Sequence, residues 1–248
     1  MHHARVIPCL LIQGNGLVKT KKFKDPVYIG DPVNTVKIFS DKEADEIIVL
    51  DIDSSKNGSE INYQLIEEMA GEAFMPMAYG GGVRTLSQIK QLIRLGIEKI
   101  VINTAAVKSI NIIREAADIF GSQAVVGAVD IKKNLFGCYK LCVKSASVDV
   151  KCSIDDHVDD LVAAGAGEIF INNVDRDGMM VGYDLKPILS ITSKVNVPIV
   201  IGGGAGSVDD LSYAIREGKV TGVVAGSMFV FHGRHRAVLI NYPTDIVI

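Results

Sequence analysis

One grammar occurs twice in the chain. Residues 76–104 read PMAYGGGVRTLSQIKQLIRLGIEKIVINT, and residues 198–227 read PIVIGGGAGSVDDLSYAIREGKVTGVVAGS. In each, Pro76 or Pro198 opens an apolar, β-rich run that stops at Gly80-Gly81-Gly82 or Gly202-Gly203-Gly204, followed by an amphipathic stretch and a second apolar run. Such a unit is a strand, a tight turn, a helix and a strand. A chain that repeats it is restricted to architectures built from successive βα units. Adjacent glycines let backbone N–H groups come close to an anion, and the helix that follows adds its positive end. A single turn of this kind serves equally as a plain strand-to-helix connection. Two in the same relative place point to a ligand with two anionic ends.

The rest of the chain keeps the alternation. Strand candidates fall at 6–13, 46–51, 75–79, 99–103, 124–130, 168–172, 199–201 and 222–225. Helical patterns lie between them at 33–42, 62–70, 86–95, 110–120, 154–164, 185–193 and 208–217, with a short last one near 233–240. Near-continuous apolar strands joined through helices imply a parallel sheet buried on both faces. Eight such units in 248 residues, 48% of them hydrophobic, predict an α/β fold, a (β/α)8 TIM barrel with internal half-barrel duplication, as one domain over residues 1–248. Two stretches break the rhythm. Residues 14–32, rich in Gly and Lys, are too long for an ordinary βα connection and read as a mobile lid, and residues 131–151 read as a hairpin inserted after the fifth strand. Both follow strand C-termini, the end at which barrel enzymes carry their chemistry.

Composition narrows the function. A formal charge of −3 without a basic run argues against nucleic acid. No apolar run reaches the roughly 18 residues of a membrane span, and Met1-His2-His3-Ala4-Arg5 leads directly into a strand, so a cytoplasmic location is expected. Cys9, Cys138, Cys142 and Cys152 lack zinc-site spacing and are expected to be reduced thiols, with no metal and no cofactor. His2, His3, His157, His232 and His235 are scattered, and none reads as catalytic.

Offsetting the halves by about 119 to 124 positions sets Cys9-Leu10-Leu11 against Ala128-Val129-Asp130, and Val49-Leu50-Asp51 against Asn173-Val174-Asp175. Asp130 and Asp51 then end strands at the expected catalytic face, where a carboxylate acts as general acid or base or, less interestingly, caps a helix. Asp177, beyond the sixth strand, is either part of the site or a solvated turn residue.

With those residues in view a family resemblance emerges over nearly the whole chain. Arg5-Val6-Ile7-Pro8-Cys9-Leu10, the strand end at Asp51, Gly80-Gly81-Gly82, Ile102-Asn103-Thr104-Ala105-Ala106, the run from Phe120 to Val126, Asp175-Arg176-Asp177-Gly178 and Gly203-Gly204-Ala205-Gly206 resemble the cyclase subunit of imidazole glycerol phosphate synthase. The resemblance implies a barrel that receives ammonia from a separate glutaminase subunit and uses it on a substrate with a phosphate at each end. Carried over residue by residue, Gly82, Asn103 and Thr104 hold one phosphate, Gly203, Gly204 and Ser227 hold the other, and Lys19 is the loop lysine. It further implies an ammonia gate of Arg5, Glu46, Lys99 and Glu168 on the N-terminal face. The glutaminase is then expected to dock there, around Glu98 and Lys99. Glu46, Lys99 and Glu168 each open a strand, so with Arg5 they form either that gate or a salt-bridged plug.

The chain departs from the family at one catalytic position. Of the two aspartates that end the first and fifth strands in the family, Asp130 supplies one, and Leu11 stands in place of the other. A leucine cannot exchange a proton. The resemblance therefore leads to a paralogue of the type associated with amidation of surface-polysaccharide sugars. The alternatives are an authentic imidazole glycerol phosphate synthase subunit of histidine biosynthesis and a silent barrel that only activates its glutaminase.

Overall fold

A computed structural model of the chain describes residues 4–233 and 235–243. Its barrel strands are β1 (Arg5–Gln13), β2 (Ile47–Asp51), β3 (Met77–Gly80), β4 (Lys99–Ile102), β5 (Val125–Lys133), β6 (Glu168–Asn173), β7 (Ile199–Gly202) and β8 (Gly222–Ala225). Each pairs in parallel with the next, and β8 pairs with β1, so the sheet closes on itself. This is a (β/α)8 TIM barrel. The expected seven helices are present as α1 (Pro32–Asp41), α2 (Tyr63–Glu72), α3 (Leu86–Arg94), α4 (Asn111–Phe120), α5 (Ile154–Ala163), α6 (Lys186–Thr192) and α7 (Val208–Gly218). Their starts are set by local chemistry. The side chains of Asp31, Asn62, Ser153, Thr85 and Ser207 accept from first-turn N–H groups, the last two in capping boxes with Gln88 and Asp210.

The Ile- and Val-rich strands are buried on both sides because two separate cores use them. One core packs Val36, Phe39, Ile66, Met69, Ile89, Leu92, Ile113 and Leu161 of the helices against the outside of the barrel. The other fills the inside with Ile7, Ile48, Ala78, Val101, Val126, Phe170, Val200 and Val224. Alternation along β1 then places Arg5 below this plug and Cys9 and Leu11 above it.

Three expectations need adjustment. The last helix, expected near 233–240, is absent among the described residues. Phe231–His232 instead pairs antiparallel with Ala237–Val238 around a turn with positive φ at Gly233 and Arg236, and the short helix α8 lies earlier, at Ser227–Val230. Residues 14–32 form a hairpin of Gly16–Lys21 and Lys24–Gly30, with Gly16–Val18 extending the sheet from the end of β1. β5 runs on past Asp130 to Lys133, because Tyr139–Val143 folds back antiparallel on it and supplies the ladder, followed by Val148–Asp149. No helix among the described residues is long and apolar enough to cross a membrane. His2 and His3 lie outside the described residues.

Candidate functional site

A cavity of about 1020 Å³ opens at the C-terminal end of the barrel. Its lining includes Leu11, Asp51, Gly82, Asn103, Thr104, Asp130 and Asp177, so the residues singled out at or beyond the ends of six different strands meet in one space. Leu11 faces it from β1 in register with Leu50 on β2, while Asp130 on β5 is in register with Asn172 on β6.

Asp130 is enclosed by the barrel wall, with some contact to the cavity. Burial pushes its carboxyl up to about 7, with a further push from the negative charge of Asp177, against the opposing effect of a hydrogen bond from Asn103 Nδ2 at 2.8 Å. A carboxyl in that range exchanges protons readily at neutral pH. Asn103 spends its donor on Asp130 and leaves its own Oδ1 buried without a partner. Asp177 is also raised by burial, held back by a 2.9 Å hydrogen bond from Thr20 Oγ1 and by the positive charge of Lys19. Lys19 itself is buried, its ammonium lowered by that burial while donating to the Cys9 carbonyl. The Cys9 thiol, pushed up to about 11 by burial, stays protonated.

Asp51 takes a different part. It caps the short helix Ile52–Asn57, its two oxygens accepting from Ser54 N and Ser54 Oγ at 2.8 Å each. A carboxylate so engaged is a structural cap first.

The two glycine turns are built alike. A Cβ on Gly81 would sit 2.2 Å from the Asp51 carbonyl oxygen, and one on Gly203 would sit 2.3 Å from that of Asn173. The partner of Asp51 in the repeat is therefore Asn173, two residues from the Asp175 that the sequence offset suggests. The residues that lead from these turns into α3 and α7 are tied to the helices: the N–H groups of Arg84 and Thr85 donate to Gln88 Oε1, and those of Gly206 and Ser207 to Asp210 Oδ2. The neighbouring short helices are different. Thr104–Lys108 and α8 start at Asn103 and Gly226, whose φ and ψ are nearly equal (−116°, −88° and −120°, −73°), and neither start has a side-chain cap. The first backbone N–H groups at Thr104 and Ser227 are thus left without a side-chain cap.

The structure does not bring all the expected residues to one surface. Gly203, Gly204, Ser227 and Lys19 are not among the cavity's lining residues. A Cβ on Gly204 would meet the Gly182 carbonyl oxygen at 2.1 Å, and one on Gly226 would meet Lys19 Nζ at 2.5 Å. The loop after β6 therefore covers the second glycine turn, and the folded-in Lys19 lies against Gly226, next to Ser227. Cavity residues that sequence reasoning passed over are Cys9, Thr20, Asn172 and Lys144. Strand parity from Leu11 would have pointed to Cys9, and parity from Glu168 to Asn172, but nothing local marks Lys144, which arrives on the inserted hairpin.

At the opposite end Arg5, Glu46, Lys99 and Glu168 form a closed ring. Arg5 Nη1 is ion-paired with Glu46 and Arg5 Nη2 with Glu168 at 2.6 Å, while Lys99 Nζ reaches Glu46 Oε2 at 2.8 Å and Glu168 Oε2 at 3.3 Å. Burial works against the Arg5 charge, and the two glutamates more than offset it, so its pKa is raised.

Comparison with known proteins shows the family. Residues 5–236 match the family described as histidine biosynthesis protein. The chain is 50% identical over 243 residues to a Pseudomonas aeruginosa protein provisionally named imidazole glycerol phosphate synthase subunit hisF2, spanning 98% of this chain and 97% of that one. It is 45% identical over 249 residues to a Vibrio vulnificus protein with the provisional name of hisF3 subunit of the same synthase, spanning 98% and 94%. With an Alkaliphilus metalliredigens protein named imidazole glycerol phosphate synthase subunit HisF it shares 38% over 228 residues, 92% and 90% of the two chains. The chain belongs to the histidine biosynthesis protein family, as a HisF-type subunit.

Proposed function

We propose that this chain is the synthase subunit of a glutamine amidotransferase complex and that it adds ammonia to a phosphorylated, sugar-type substrate. A glutaminase partner docks on the N-terminal face and releases ammonia beneath the ring of Arg5, Glu46, Lys99 and Glu168. Ammonia travels up the barrel axis, past the apolar plug, to the cavity at the other end. The observation that carries this reading is the pairing, on one axis, of a charged ring at the floor with a carboxyl poised at about 7 at the top. Unprotonated ammonia is the nucleophile and most of it would be protonated in water, so a dry path preserves its reactivity. Asp130 accepts the proton the attacking nitrogen sheds and returns it to the departing group.

One phosphate is assigned to the Gly82, Asn103 and Thr104 side, where the uncapped start of Thr104–Lys108 borders the cavity. The other belongs at Gly203, Gly204 and Ser227, reached once Lys19 and its hairpin lift. The unpaired Oδ1 of Asn103 supports a hydrogen-bond donor on the ligand between them. Leu11 in the position of the family's second aspartate supports an acceptor other than the imidazole-forming substrate, within sugar amidation for surface polysaccharides. A second reading, the ordinary histidine-pathway cyclase, is favoured by the 38% identity to the Alkaliphilus metalliredigens protein.

The two are separated by supplying the chain with ammonium salt and the imidazole glycerol phosphate synthase substrate. Turnover at least a hundredfold below that of an enzyme with both aspartates is expected, a loss on the order of 10² to 10⁴ for one missing acid–base group. Turnover at the normal level promotes the second reading.

A further inference from the structure

We infer that the hairpin inserted after β5 is a docking knob for a second protein, one that offers an apolar pocket rimmed by carboxylates and sits over the mouth of the cavity. Leu135 and Phe136 at its tip are 103% and 90% exposed. Single exposed apolar residues are ordinary, but two adjacent large ones at the end of a projecting hairpin are not.

The tip is stiff. Asn134 Oδ1 accepts from the N–H groups of Phe136 and Cys138 at 2.9 Å each, Gly137 N donates to the Asn134 carbonyl at 3.0 Å, and Asn134 N donates to the Cys138 carbonyl at 2.8 Å. Gly137 supplies the positive φ, +79°, that the turn requires. Behind it, Lys133 Nζ lies 5.0 Å above the Tyr139 ring, and both reach Asp184. A rigid, convex pair of apolar side chains loses little entropy on insertion, which is the form an interface anchor takes.

Charge identifies what receives it. The chain as a whole carries −3, yet residues 131–151 hold Lys132, Lys133, Lys140, Lys144 and Lys151 against Asp149 alone. Lys132 and Lys133 are paired with Asp149 at 2.6 Å and Asp184 at 3.2 Å, while Lys140, Lys144 and Lys151 have no ion-pair partner among the described residues. Lys140 stands opposite Lys132 beside the tip, and Lys144 and Lys151 are set back from it, a spread that acids around a pocket would meet. A lipid surface would instead need several free cations beside the inserted residues, and of the three lysines flanking the tip Lys132 and Lys133 are already paired, which leaves Lys140 alone. Lys144 and Ser145 also line the cavity, and Lys144 N donates to Thr104 Oγ1 at 3.3 Å. A partner gripping the hairpin therefore stands over the mouth, at the opposite end from the charged ring, so both ends can be occupied together. This inference does not depend on ammonia delivery.

The test replaces Phe136 with p-benzoylphenylalanine in the full chain in its native cells. The photo-crosslinked protein is identified and purified, and its binding is measured against wild type, Leu135→Ser/Phe136→Ser and Lys140→Glu/Lys151→Glu. The expected result is a single crosslinked protein, with Kd weakened at least tenfold by either double variant and tightened at low salt. Neither pair of side chains supports the barrel, so thermal midpoints should match wild type, and glutaminase association should be unchanged. Crosslinks only to a second copy of the chain, sedimentation with phosphatidylserine vesicles that the serine variant abolishes, an unchanged Kd, or no crosslinked product would each overturn the proposal.

Discussion

Asp130 keeps its proton to a higher pH than an ordinary carboxyl because the barrel wall strips water from it, and that has a consequence for stability as well as for chemistry. Its folded pKa of about 7 lies above the ordinary carboxylate value near 4, so between those two pH values the folded state binds more protons than the unfolded one. Stability contributed by this group is full below about pH 4, declines as pH rises, and levels off above about 7. Asp130→Asn removes the titration. Relative to wild type, the variant should gain on the order of 1–2 kcal/mol between pH 4 and 8, after allowance for solvent contact through the cavity. Urea unfolding across that range reads the difference, and a constant difference would place the Asp130 carboxyl at an ordinary value. The same variant should lose about 10² to 10⁴ in ammonium-driven turnover. Leu11 gives the complementary experiment. It is 9% exposed in the cavity wall, so Leu11→Asp should cost about 2 kcal/mol of stability. It should nevertheless raise turnover of the imidazole glycerol phosphate synthase substrate at least tenfold. No gain would mean that more than the missing carboxyl separates this site from the ordinary cyclase.

Among the elements, the glycine turns do more packing than their anion-cradle appearance suggests. Gly81 has φ +108° and Gly204 +125°, and a Cβ at either would fall 2.2 or 2.1 Å from a carbonyl oxygen of the preceding βα segment. Gly81→Ala and Gly204→Ala combine backbone strain with a main-chain clash, and each should lower unfolding free energy by about 2–4 kcal/mol, measurable from denaturant midpoints. A loss under about 0.5 kcal/mol would show that the turns relax freely. The same turns explain what could be read from sequence. Strand starts, helix periods and caps are local signals, so the barrel and its seven long helices were legible. Which residue of a strand points inward was not, because Ile- and Val-rich strands buried on both faces erase the two-residue alternation. Hence Asp51 stayed open between acid–base group and helix cap until Ser54 was seen on both its oxygens, and no local signal told that Asn103 reaches across to Asp130. Ladder ends are equally silent: only the return strand at Tyr139–Val143 explains why β5 continues through Lys133.

At the scale of the whole molecule, the charged ring closes the barrel axis at the end away from the chemistry. Glu46 and Glu168 are deeply buried, with 2% and 8% of their side chains exposed, whereas Arg5 and Lys99 keep 25% and 18%. The acids are therefore the fixed part and the bases the movable part. Removing an acid leaves Arg5 and Lys99 sharing one carboxylate, and breaking a buried pair this way costs on the order of 3–5 kcal/mol, so Glu46→Leu should lower the thermal midpoint by several degrees. Lys99→Met should be milder for stability, because Arg5 still spans both glutamates. Its effect on delivery is the discriminating one. If the ring admits ammonia from a docked glutaminase, an altered opening changes glutamine-driven turnover while leaving turnover with saturating ammonium salt, which enters from the open cavity, within about twofold of wild type. A ring that merely plugs the barrel gives no such split: both activities fall with stability or neither changes. Measuring the ratio of the two rates in Lys99→Met, with the glutaminase present at saturating concentration, therefore decides whether the four charges are a passage or a floor.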